Sequence, residues 1–130
     1  MKYVYPAIFQ KDKDSEDTWC VDFPDVEGAA TFGETLFDAL EMAEDALAGI
    51  LVMYEDFKAG KYYKDEDGNE IRVMNNRIVD PTPIEKIVAE PDEYSDAAFV
   101  TLIKADTDAY RKILAELDKK RNETAETGAA

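Results

Sequence analysis

Carboxylates are the residues with which this chain could do chemistry. Thirty Asp and Glu stand against fifteen Lys and Arg, with no histidine, one cysteine and a net charge of −15. Without an imidazole, neither serine–histidine nor cysteine–histidine catalysis can be assembled within one chain. Cys20 lies between Trp19 and Val21 in an alternating run, where a packed thiol is expected rather than a nucleophile. Clustered carboxylates can hold two metal ions that activate water and stabilise a leaving oxygen, although abundant Asp and Glu read first as solvated faces. A second use of the same charge is physical. A surface this negative repels a phosphate backbone, so direct nucleic-acid binding is not expected, and it either serves solubility or meets a basic partner. For that partner the acidic turn with Asp12, Asp14 and Asp17, together with Asp22 and Asp25, supplies candidate steering groups. Phe23 is a candidate apolar contact between Asp22 and Asp25, although Phe23 to Gly28 also reads as a simple chain reversal.

These residues must be positioned by the elements around one long helix. Leu36, Ala39, Leu40, Ala43, Ala46, Leu47, Ile50, Leu51 and Tyr54 recur at three- and four-residue spacing. Thr35 with Asp38 three residues on nearly matches a capping box, and Gly60 marks the other end. A helix of roughly 22 residues spans about 33 Å and needs a partner layer of similar length. Gly49 costs about 1 kcal/mol on propensity and is expected to sit close to the sheet. Before the helix, Lys2 to Phe9 reads as a strand with an irregularity at Pro6, and Thr18 to Phe23 as its hairpin partner. Gly28 permits the next reversal, into a short third strand from Ala29 to Phe32.

After the helix, Lys61 to Tyr63 and Ile71 to Met74 flank an Asp67-Gly68 turn and predict an exposed hairpin over about 61–74. A proline-bearing connector follows over 75–96, with one helical turn near Pro83 to Val88. Ala97 to Lys104 is a strand apolar on both faces, suited to a sheet interior and able to lie parallel to the first strand. Asp106 caps a second helix whose stripe is Tyr110, Ile113, Leu114 and Leu117, and residues 122–130 read as a disordered tail. The whole is a single domain over 1–121. It carries no signal peptide and no run of membrane-spanning length, so a cytoplasmic protein is the expectation.

In this order and at these spacings, three stretches resemble HicB-type antitoxins: Lys2-Tyr3-Val4-Tyr5-Pro6-Ala7-Ile8-Phe9; Trp19 to Gly28 with its Phe23-Pro24-Asp25; and Thr31 to Ala39 running into a helix. The resemblance covers residues 1 to about 55 well and Phe99 to Arg111 more loosely. It implies a degenerate ribonuclease H-like fold, β-β-β-α-β-α, and a role in masking a small basic HicA-type mRNA interferase. Such antitoxins commonly continue into a DNA-binding domain, whereas here nine residues follow Arg121 and no separate one is expected.

The expected fold is α+β, an α/β sandwich whose mainly antiparallel sheet has both helices on one face, the fourth strand lying parallel to the first. Tyr3, Tyr5 and Trp19 would then leave an apolar patch on the open face or at an edge for a homodimer, higher oligomer or toxin contact. The function expected is that of the antitoxin of a type II toxin–antitoxin system, a partner of a small basic ribonuclease toxin. The alternatives are an orphan or phage-encoded module without a toxin and, third, a metal-dependent nuclease. The resemblance raises the nuclease reading, in which clustered carboxylates hold two metal ions. Ribonuclease H-like enzymes place a carboxylate on the first strand, Tyr3 to Phe9 has none, and Asp22 on the second strand and Glu41 or Glu44 on the helix do not replace it, so no catalytic residue, metal or cofactor is expected.

Overall fold

The computed structural model describes residues 1–61, 63–71 and 77–128. Strands β1 (Lys2–Asp12), β2 (Trp19–Asp22) and β3 (Thr31–Gly33) lead into helix α1 (Leu36–Lys58). A small hairpin of β4 (Tyr63–Lys64) and β5 (Glu70–Ile71), a 3-10 turn (Ile84–Lys86), strand β6 (Ser95–Asp106) and helix α2 (Thr107–Gly128) complete the chain. The main sheet has the order β3-β2-β1-β6, and every neighbouring pair is antiparallel.

Helix α1 forms where its pattern and caps direct. The Thr35 hydroxyl accepts from the Asp38 N–H at 3.1 Å. At the other end Gly60, at φ 83°, turns the chain so that the Lys61 N–H reaches the Asp56 carbonyl at 2.8 Å. The buried face of α1 is Ala39, Ala43, Leu47, Ala48, Leu51, Val52 and Tyr54. It packs over Tyr5, Ala7 and Phe9 of β1, Val21 of β2 and Ile103 and Ala105 of β6 in one core. Alanines at the N-terminal half let the helix approach the sheet closely, and Leu36 and Leu40, expected in the stripe, stay partly exposed. At Gly33 the approach is closest: a Cβ there would lie 2.2 Å from the Ala39 nitrogen.

Several expectations are corrected. Strand β6 runs antiparallel to β1, in register from Lys2 opposite Asp106 to Lys11 opposite Ala97, and it is an edge strand rather than an interior one. The reason is the connector. It brings the chain back beside Asp12, so β6 starts at the far end of β1, and it covers part of the second sheet face, leaving Val4 and Leu102 about half exposed. There Gln10 donates to the Glu90 carbonyl at 3.3 Å, Thr82 is held by Asp25, and Pro6 is buried. Tyr3, Tyr5 and Trp19 do not line an open face. Tyr5 is buried under α1, Tyr3 and Trp19 pack against the same core, and Trp19 meets Phe99 edge-on at 5.2 Å. Pro6 causes no break, because β2 pairs with β1 only from Ile8 onward and Pro6 has β6 alone as its neighbour. The shift of register falls instead between Lys11 and Asp12.

Helix α2 packs on α1 rather than on the sheet. The Tyr110 side chain lies against Gly49, where a Cβ would come within 3.2 Å of its hydroxyl, so the neighbour of that glycine is a side chain of α2 and not the sheet. The expected stripe is otherwise unburied, since Ile113, Leu114 and Leu117 are all exposed. Asp106 caps α2 as read, accepting from the Ala109 N–H at 3.1 Å. The helix then continues to Gly128 through the segment read as a tail, where alanine and glutamate favour propagation once a turn exists. The β4–β5 hairpin matches its sequence signal. Its turn is closed by the Asp65 N–H on the Asn69 carbonyl at 2.8 Å, while positions 62 and 72–74 of its arms lie outside the described residues.

Candidate functional site

The sequence-predicted partner residues divide into three groups. Asp12, Asp14 and Asp17 lie in the β1–β2 turn, where the Asp12 carboxylate accepts from the Asp14 N–H at 3.0 Å and Asp14 and Asp17 are exposed. Asp22 is exposed at the opposite end of β2. Phe23 is buried in the core and offers no surface, and Asp25 is taken up by Thr82, whose N–H and hydroxyl reach it at 2.8 and 2.6 Å. The turn from Phe23 to Gly28 therefore anchors the core and the connector.

Sheet register brings other acids to the end occupied by the β1–β2 turn. Trp19 is opposite Gly33, so the start of α1, with Glu34, Asp38 and Glu41, emerges beside that turn. Phe32, opposite Cys20, is 58% exposed. A recess of about 320 Å³ is lined by Phe32, Gly33, Glu34, Asp38, Glu41 and Met42. A larger, mainly apolar recess of about 640 Å³ runs between α1, α2 and the paired ends of β1 and β6, with Met42, Ala48, Tyr110 and Ile113 among its walls. Glu41 and Met42 line both, so the two recesses lie side by side as a track whose border on α1 carries Glu34, Asp38, Glu41, Glu44 and Asp45, while the strand wall of the larger one carries Lys2 and Lys104. Sequence reasoning missed this track because those acids read as a solvated helix face. The signal present was Phe32 itself, which strand alternation sets opposite to Thr31 and Gly33.

The fixed charges lie elsewhere. Glu55 near the end of α1 accepts from the Tyr3 hydroxyl at 2.7 Å, the Thr107 hydroxyl at 2.8 Å and Arg111 at 3.2 Å. Burial pushes its carboxyl up, but these three hydrogen bonds outweigh it and hold Glu55 below the usual carboxylate range. Burial and the Glu55 carboxylate together push the Tyr3 hydroxyl well up. Arg111 also reaches Asp56 at 2.9 Å and the Val52 carbonyl at 3.3 Å, tying α2 to α1. This is a structural clasp between the first strand and both helices.

The nuclease candidates are not brought together. Asp22 alternates with Val21 and so faces away from α1, whereas Glu41 and Glu44 are on α1. Among the described residues no group of three or more His, Cys, Asp or Glu side chains is arranged to hold a metal ion, and no helix is long and apolar enough to cross a membrane.

No family model and no curated protein matches the sequence. Solved structures do match. A chain of a toxin–antitoxin complex from Streptococcus pneumoniae aligns with a TM-score of 0.56 at 21% identity, over 85% of this chain and 73% of that one. The antitoxin HicB of Burkholderia pseudomallei gives 0.47 at 24% identity, over 78% of this chain but only 61% of that one. Its N-terminal domain gives 0.49 at 22% identity, over 80% and 99% respectively. The weight rests on the first, and at that identity it speaks for the fold. The chain thus has an α+β fold, a four-stranded antiparallel sheet with two helices, shared with a component of a toxin–antitoxin complex and consistent with the HicB resemblance of its sequence.

Proposed function

We propose that this chain is the antitoxin of a type II toxin–antitoxin system and that it binds and masks a small basic HicA-type mRNA interferase without being an enzyme itself. The observation that carries the reading is the apolar track from Phe32 through Met42 to Ile113, bordered along α1 by carboxylates on a chain of net charge −15. A cationic RNA-binding surface is complementary to that border. Long-range attraction speeds encounter, and burial of Phe32 and Met42 near the centre sets the lifetime of the complex. Asp14 and Asp17, at the same end, add to the attractive field, and Asp22 extends it across the sheet. In this reading a toxin seated by its basic face has that face closed to RNA.

The proposed setting is the cytoplasm, with the chain as a homodimer or higher oligomer. Co-expression with the small basic protein encoded beside its gene tests the function. Relief of growth arrest and co-purification of the pair are expected. Arrest without relief, with no complex recovered, would replace the reading by that of an orphan module of the same fold.

A further inference from the structure

Strand β6 ends the sheet with its outer side open. It runs for 12 residues from Ser95 to Asp106, and among the described residues only β1 bonds its backbone between Ala97 and Ala105. Successive residues of an antiparallel strand turn their N–H and C=O groups to alternate sides, so about half of these groups face outward. From Ala97 to Ile103 the strand carries no charge and no proline, with which soluble proteins blunt an edge. Its guards stand at the ends: the register shift that leaves Asp96 without an opposite residue on β1, and Lys104. The edge is continuous with the larger recess. Lys104, Ala105 and Asp106 form part of its wall, and Glu41, Glu44 and Asp45 line it from α1.

We propose that the basic toxin adds a strand to this edge, so that main-chain pairing along Ala97 to Ile103 holds it in the recess together with side-chain contacts; the inference rests on the antitoxin reading above. A strand laid opposite these seven residues is about 23 Å long. Its side chains alternate between two environments. Those on the α1 side lie in line with Phe99 and Ile103, which pack in the core, and where the strand continues to Ala105 they meet the carboxylates of α1, so lysine or arginine is matched there. Those on the other side lie beside Val100 and Leu102, the second of them 51% exposed, so apolar residues are matched there. The fitting segment thus alternates apolar and basic residues. Charge decides between this occupant and a second copy of the chain. A second copy brings a further net charge of −15 to an edge that already adjoins an acidic rim, whereas a cationic protein is drawn to it.

The test follows the backbone amides of the full chain, alone and with the small basic protein encoded beside its gene. Hydrogen exchange read by NMR should show alternate amides between Ala97 and Ile103 exchanging fast in the free chain, and the complex should slow them about tenfold or more. Val100→Pro and Thr101→Pro give a second reading, because one of these two neighbours turns its N–H outward and accepts proline without breaking the pairing with β1. The variant that circular dichroism shows to be folded should bind the basic protein about tenfold or more weakly. A complex in which these amides stay fast overturns the proposal and leaves the antitoxin reading standing. A folded proline variant that binds as tightly as wild type overturns it too. Amides already slow in a free chain that sediments as a dimer assign the edge to a second copy. Absence of any complex overturns both readings together.

Discussion

Replacing Arg111 by methionine should loosen α2 from the rest of the molecule, and the size of the effect follows from what Arg111 holds. Its guanidinium reaches Glu55 at 3.2 Å and Asp56 at 2.9 Å, whose side chains are only 17% and 10% exposed. Methionine keeps most of the aliphatic volume, so the change isolates the charge. Breaking a fully buried pair costs about 3–5 kcal/mol because a charge is left without a partner. Arg111 is itself about a third exposed, at 36%, and Asp56 keeps Lys61 at 3.9 Å, so solvent and the second cation reduce the loss. About 2 kcal/mol at neutral pH remains, which in a chain of this size lowers Tm by about 6–8 °C.

The pH dependence carries the sign. Glu55 is held below the usual carboxylate range, so its contribution is present above its unfolded value of about 4.3 and is lost as the pH falls through the folded one. Arg111→Met removes one of the hydrogen bonds responsible, so the gap between variant and wild type should be widest near pH 7 and narrow below about pH 4. Urea unfolding across that range measures it. A gap under about 0.5 kcal/mol, or one that does not change with pH, would refute the reasoning that charge in this clasp holds α2 in place.

Three further outcomes are expected. Gly33→Ala should cost about 3 kcal/mol or displace the start of α1, because the new Cβ would meet backbone at 2.2 Å from the Ala39 nitrogen; thermal unfolding measures it, and a neutral result would show that the β3–α1 approach is looser than described. Leu51→Ala should cost about 2–4 kcal/mol by cavity formation at a fully buried site, read as a fall in the urea midpoint with an unchanged slope. Phe32→Ser should leave stability within about 0.5 kcal/mol yet speed dissociation of the toxin complex at least tenfold, whereas charge-neutral substitutions of Asp14 and Asp17 should slow association; surface-plasmon kinetics separate the two.

The long helix was legible because three signals agree at its ends and along its length: the Leu47-Leu51-Tyr54 spacing, the Thr35 cap and Gly60. The hairpins were legible for the same reason, through alternation and the Asp67-Gly68 turn. The direction of β6 was not, because apolar residues on both faces say that a strand is covered twice and not by what. A connector carrying Thr82 and Glu90 covers part of one face here, and its return path alone decides antiparallel pairing. The stripe of α2 misled in the opposite sense: 3.6-residue periodicity marks a face that needs covering, and Ile113 and Leu117 are not covered within this chain. The proposed partner surface was half legible. Acidity was plain, but Phe32 and Met42 become neighbours of Glu34 and Glu41 only after Gly33 lets β3 and α1 meet.

The central claim is that this chain blocks a cationic ribonuclease by covering its RNA-binding face, and the most direct measurement is RNA cleavage by the purified small basic protein at rising concentrations of this chain and at several salt concentrations. The account predicts loss of cleavage at a fixed stoichiometry, with an association rate that falls steeply with salt and a dissociation rate that hardly changes. Cleavage that continues undiminished at saturating concentrations of the folded chain would contradict it.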